Sequence, residues 1–150
     1  MHSETSLISR NVPFVSTRFR TIQTPIPVPA SIPLLKEMAS CEPRSMGGQP
    51  PIIWDHAKDF SVWDAYGNRW IDFSSGVLVT NAGHSAEEII RSLRDQIDHG
   101  LLHSYCFPNQ ARIDLVRKLN SLAPPPLEKV FLLTTGAEST ECALKLAKTC

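Results

Sequence analysis

The chain has 150 residues, of which 42% are hydrophobic and 20% charged; 15 basic and 15 acidic side chains leave it with no net charge. That balance gives no basic face for a nucleic acid and no acidic tail. The composition is that of a globular protein able to bury ~68–70% of its unfolded surface, and no apolar run approaches the ~20 residues that span a bilayer.

Cys41, Cys106, Cys142 and Cys150 form no C-x-x-C pair, and none stands at the usual zinc-ligand spacing from a histidine. They read as reduced thiols of a cytosolic protein, and no metal site is expected. Residues 1–32 contain Arg10, Arg18 and Arg20, many Ser and Thr, and a single acid, Glu4. That bias resembles an organelle transit peptide. Prolines at 13, 25, 27, 29 and 33 would interrupt an amphipathic helix, so the reading adopted is an extended, partly polyproline-like arm. It is expected to lie on the folded body or on a partner subunit.

Residues 32–40 (IPLLKEMAS) predict a short helix, with Pro33 in its first turn and Leu34, Leu35 and Met38 on one side. A Pro/Gly-rich connection, residues 42–51, follows. Residues 52–73 read as a strand followed by a hairpin. Phe60 and Val62 alternate with polar neighbours, Trp70, Ile71 and Phe73 lie beyond the turn, and Asp64, Gly67 and Asn68 tolerate tight-turn backbone angles. Residues 74–84 (SSGVLVTNAGH) then read as a strand end and a loop, either plain scaffold or part of a site.

Residues 85–99 predict a helix. Ser85 and Glu88 spell a capping box, Ile89, Ile90, Leu93 and Ile97 form the apolar stripe, and Gly100 ends it. In LLHSYCFP, residues 101–108, His103, Tyr105 and Cys106 have no third orienting group nearby and read as a packed aromatic loop. Residues 109–122 predict another helix, with Asn109 as N-cap and Pro124 to Pro126 as its stop.

Residues 129–150 (KVFLLTTGAESTECALKLAKTC) carry the most information. Val130 to Leu133 is an unbroken apolar run, as expected of a strand covered on both faces in a parallel sheet. Thr135-Gly-Ala-Glu138 is a T-x-x-E capping box, and Cys142, Ala143, Leu146 and Ala147 fall at helical spacing. The first N–H groups of such a helix lack internal partners and carry about half a positive charge. With a glycine allowing close approach, the junction can take a phosphate; equally, it can be a capped helix that binds nothing.

LLTTGAESTECALKLAK resembles the cofactor-phosphate turn of the class III aminotransferases, enzymes that depend on pyridoxal 5′-phosphate. The similarity runs back through RWIDFSSGVLVTNAGH (Arg69 to His84) and PPIIWDHAKDFSVWDAYGN (Pro50 to Asn68), in the family's order, over about two thirds of the chain. The resemblance implies an α/β protein of fold type I, in the aspartate aminotransferase superfamily. It implies an N-terminal portion: an arm and short helix (1–50), a small-domain hairpin and active-site-entrance segment (51–108), and the first strand–turn–helix of the large domain (109–150).

It also implies transamination between an amine or amino acid donor and a keto acid, by a homodimer with active sites at its interface. Thr135, Gly136 and Ala137 are the implied cofactor-phosphate residues. Ser75, Gly76, Val77 and Leu78 are implied to line a substrate pocket, near the active-site mouth and the dimer interface. Tyr105 and Phe107 have a lesser claim to pocket contacts, and His84 is expected to cap its turn. No catalytic residue is assigned. The family's Schiff-base lysine, the carboxylate on the pyridine nitrogen and the aromatic on the ring face all lie C-terminal to the phosphate turn. None of Lys36, Lys58, Lys118, Lys129, Lys145 and Lys148 matches its lysine motif. The expected location is the cytoplasm, or an organelle matrix if the N-terminus is a transit peptide. A decarboxylase or aminomutase of the same superfamily, and a non-catalytic homologue acting as an interaction module, remain alternatives.

Overall fold

The computed structural model describes residues 7–149, which divide into two compact units, one up to His99 and one from Gly100. All the named strands among the described residues lie in the first unit, in one antiparallel sheet. The strands β1 (Val15–Ser16), β2 (Thr21–Ile22), β3 (His56–Lys58), β4 (Ser61–Trp63) and β5 (Arg69–Ile71) take the order β1-β2-β5-β4-β3. The expected hairpin is β4–β5, with Val62 opposite Trp70, and a second hairpin joins β3 to β4 through Asp59 and Phe60.

The arm lies on this chain's own sheet, where Thr21 of β2 pairs with Arg69 of β5. Residues 1–6, where the transit-peptide reading begins, lie outside the described residues. The small core holds Ile22, Val28, Leu35 and Val62. The helix α1 (Ile32–Cys41) forms as expected with Pro33 in its first turn, but only Leu35 of the anticipated stripe is buried; Leu34 and Met38 face outward.

Beside that core sits a buried polar knot. Asn68 is fully buried; its Oδ1 accepts from the Gln23 N–H at 2.8 Å and its Nδ2 donates to Thr24 Oγ1 and Asp64 Oδ2. Asp64 Oδ1 accepts from the N–H groups of Tyr66 and Asn68. The knot ties the arm to the hairpin turn, where Gly67 sits at φ +88° and a Cβ would lie 1.9 Å from Gln23 Nε2.

The helix α3 (Glu87–His99) starts two residues later than expected and ends at Gly100, φ +80°. The Ser85–Glu88 capping box is not formed: Ser85 has φ +54°, outside the extended backbone of an N-cap, and its Oγ is turned to donate to the Ala57 carbonyl at 2.8 Å. The stripe of Ile89, Leu93 and Ile97 is exposed among the described residues.

In the second unit, α4 (Gln110–Leu122) is capped by Asn109, whose side chain accepts from the Arg112 N–H at 2.9 Å. His103 and Tyr105 stack in the connecting loop, and Tyr105 and Phe107 are exposed. The strand expected at Val130 to Leu133 is not paired. No parallel neighbour exists among the described residues to complete its hydrogen bonds, and Phe131 is 75% exposed. The turn and the helix α5 (Gly136–Thr149) follow as expected.

Candidate functional site

Two segments carry the residues singled out by the sequence, one in each unit. In the second unit, the capping box at the start of α5 forms in both directions. The Glu138 N–H donates to Thr135 Oγ1 at 3.2 Å, and Glu138 Oε2 accepts from the N–H groups of Thr134 and Thr135 at 2.9 and 3.1 Å. The box therefore uses three N–H groups and leaves those of Gly136 and Ala137 outside it. Thr135 Oγ1, acting as acceptor, keeps its own proton for another partner. Gly136 is not held as glycine by backbone angle or packing: its φ is not in the left-handed region, and among the described residues an added Cβ would meet no atom within 4 Å outside its own helix backbone and chain neighbours. An open first turn with two unengaged N–H groups, at the positive end of a 14-residue helix, fits a phosphate monoester such as that of pyridoxal phosphate.

In the first unit, residues 72–84 form a closed loop rather than the expected strand end and plain loop. Both ends are pinned to the β3–β4 turn: the Asp72 N–H donates to the Phe60 carbonyl at 2.8 Å, and Asp59 and His84 exchange backbone hydrogen bonds of 2.7 and 2.8 Å. Within it, Ser75, Gly76, Val77 and Leu78 have φ of 51°, 59°, 61° and 67°. These four residues form a single left-handed helical turn (α2, Ser75–Leu78), closed by hydrogen bonds from Leu78 N to Ser74 O at 2.7 Å and from Val79 N to Ser75 O at 2.9 Å. A left-handed backbone costs roughly 1–2 kcal/mol for each L-residue with a Cβ, so Ser75, Val77 and Leu78 are held against their preference.

Asp72 is what holds them. Its Oδ1 accepts from the N–H and hydroxyl of Ser74 at 2.8 and 2.6 Å, and its Oδ2 accepts from the Gly76 N–H at 2.7 Å. His84 Nε2 lies 2.8 Å from the same Oδ2. The Ser74 hydroxyl and then His84 stabilise the carboxylate and hold it well below the usual carboxylate range, against the opposing effect of burial. The expected capping role of His84 is thus replaced: its ring pins a carboxylate and packs edge-on against Trp54.

A cleft of about 340 Å³ opens beside this turn, lined in part by Asp59, Phe60, Asp72, Ser75, Thr80 and His84. That volume suits a small molecule. Val77 and Leu78 point into open space. The acid–histidine pair was missed by sequence reasoning; its only signal was an aspartate and a histidine twelve residues apart, flanking a glycine-containing loop.

A family model described as aminotransferase class-III matches residues 44–150. The chain belongs to the class III aminotransferase family. Among this family's curated members, a 5-aminovalerate aminotransferase of Pseudomonas aeruginosa is 33% identical over 119 residues, covering 77% of this chain and 28% of that protein. An acetylornithine aminotransferase of Methanopyrus kandleri is 36% identical over 98 residues, 65% of this chain and 25% of that protein. The chain thus spans about a quarter to three tenths of the class III relatives it matches. The structure superposes on an acetylornithine aminotransferase from Elizabethkingia anophelis with a TM-score of 0.67 and 30% identity, over 78% of this chain and 30% of that one. An ornithine aminotransferase from Plasmodium yoelii gives 0.68 and 25%, over 79% and 30%. The fold is therefore the fold type I of pyridoxal-phosphate-dependent class III aminotransferases over the matched part.

Proposed function

We propose that the protein is an aminotransferase that moves an amino group from an amine or amino acid donor to a keto acid through pyridoxal phosphate. The observation that carries this reading is the T-G-A-E turn, with its open glycine and two unengaged N–H groups, in a chain of the class III family. Relatives named for 5-aminovalerate, 4-aminobutyrate and acetylornithine support donors that bear a terminal primary amine.

In this reading Gly136 and Ala137 donate backbone N–H groups to the cofactor phosphate, and the Thr135 hydroxyl donates its free proton. Glu138 keeps the turn shaped by holding the N–H groups of Thr134 and Thr135. When bound, the cofactor would supply an electron sink for the donor carbon that bears the transferred amine. Ser75, Gly76, Val77 and Leu78 wall part of the substrate pocket; apolar side chains on a rigid backbone turn orient the donor and exclude water. The same reading takes a homodimer, a cytoplasmic location, and segment boundaries near residues 50 and 108. An organelle matrix is the alternative location.

The test is amino transfer by the full-length protein from 4-aminobutyrate, 5-aminovalerate and N-acetylornithine to a 2-keto acid, with and without added pyridoxal phosphate. Cofactor-dependent transfer from at least one donor is expected. No transfer from any of the three, by protein that retains the cofactor, would count against the reaction.

A further inference from the structure

We propose that Asp72, clasped by His84, is a positioning residue that fixes the left-handed turn Ser75–Leu78 and thereby sets which amino donor the protein prefers. The proposal rests on the reading of that turn as part of the substrate pocket.

Four consecutive left-handed residues persist only where their surroundings over-determine them. Here, between the pinned ends of the loop, the central restraint is one carboxylate. Asp72 accepts four hydrogen bonds, three of them from Ser74 and Gly76 at the entry to the turn and one from His84 beyond its exit. Ser74 relays the restraint: its hydroxyl donates to Asp72 and accepts from the Val77 N–H, and its carbonyl accepts from the Leu78 N–H. His84 cannot follow a drifting turn, because its backbone is bridged to Asp59. The carboxylate is 3% exposed and both its oxygens are already taken by these hydrogen bonds, so its effect on a donor runs through the turn. Val77 and Leu78 are the side chains that the turn presents, and both are exposed. A wall built on a strained backbone moves when its restraint goes. Discrimination between donors that differ by one methylene depends on such a wall, at roughly 10- to 200-fold per methylene.

The carboxylate accepts at both oxygens; the amide of Asp72→Asn accepts at only one, so either Gly76 and His84 or Ser74 lose their partner. The experiment measures kcat/KM for 4-aminobutyrate and 5-aminovalerate in the full-length, cofactor-loaded protein, together with the Kd for pyridoxal phosphate. Variants are Asp72→Asn, Ser74→Ala, Val77→Ala and Leu78→Ala. In Asp72→Asn the donor ratio is expected to move roughly five-fold or more, chiefly through KM, with cofactor Kd kept within about two-fold; a merely destabilising change would lower both donors alike. Ser74→Ala is expected to move the ratio the same way by less, and it decides the matter if Asp72→Asn does not fold. The positioning role is overturned if Val77→Ala or Leu78→Ala shifts the ratio while Asp72→Asn and Ser74→Ala do not, or if Asp72→Asn acts by releasing cofactor. A ratio unmoved in all four variants overturns the pocket reading itself.

Discussion

Asp72 Oδ2 lies 2.8 Å from His84 Nε2, with the two side chains 3% and 12% exposed. The Ser74 hydroxyl and then His84 lower the carboxyl of Asp72, which makes this carboxylate a source of pH-dependent stability. A carboxyl bound more weakly by its proton in the folded state stabilises fully above its unfolded value, ~3.9, and loses that contribution as pH falls toward the lower folded value. Asp72→Asn has no such titration. The parent should exceed the variant in denaturant midpoint at about pH 5, and the margin should shrink below about pH 4. A margin that stays constant to pH 3 would show that the carboxylate is not held as described.

The Asp64–Asn68 knot makes a prediction about stability. Asn68→Ala leaves the part-buried Gln23 N–H and Thr24 hydroxyl and one buried Asp64 oxygen without their partner. The expected cost is about 2–4 kcal/mol, since each stranded buried group costs ~1–3 kcal/mol and relaxation recovers part of it. Arg117→Ala, which removes an exposed pair with Asp114, should cost about 0.5 kcal/mol or less. Chemical denaturation followed by circular dichroism compares the two. Equal losses would contradict the assignment of the knot as a main tie between arm and hairpin.

Features that depend on neighbours in sequence were legible before the structure. The Thr135–Glu138 box, the Asn109 cap, the Gly100 stop and the hairpin around Asp64–Asn68 all arise within four residues, where side-chain reach and backbone preference decide the outcome. Features that depend on distant partners were not. Ser85 looked like an N-cap, but the Ala57 carbonyl, 28 residues away, takes its hydroxyl. Val77 and Leu78 have no preference for a left-handed turn, so nothing local announces one; it follows from Asp72, Ser74 and the pinned ends of the loop. The apolar run Val130–Leu133 does have strand character, but a parallel ladder needs neighbours that the described residues do not include. For the site, the capped T-G-A-E turn was readable and the acid–histidine pair behind the other turn was not.

The capping box has its own consequence for the turn. Thr135→Ala removes the acceptor of the Glu138 N–H, and Glu138→Ala frees the N–H groups of Thr134 and Thr135. Each should cost about 1 kcal/mol. The double variant should cost less than the sum, because the two side chains share one cap. Thermal unfolding of the four proteins in the cycle measures the coupling. Full additivity would mean that the two halves of the box act independently.

The proposed phosphate site at the start of α5 is tested most directly at Gly136. Among the described residues a Cβ there meets no atom within 4 Å outside its own helix backbone and chain neighbours, so Gly136→Val should leave the fold intact while filling the space the proposed phosphate would take. Charge-assisted hydrogen bonds contribute ~1.5–3 kcal/mol each, and losing one or two predicts a cofactor Kd weaker by roughly one to four powers of ten. Lys148→Ala, a change on the exposed last turn of α5, is the control. The measurement is the dissociation constant of pyridoxal phosphate from the full-length protein, followed by its absorbance, with circular dichroism to monitor the fold. Gly136→Val should release the cofactor at least ten-fold more readily than Lys148→Ala, with an unchanged spectrum. If Gly136→Val holds pyridoxal phosphate as tightly as the parent, the phosphate does not sit on this turn.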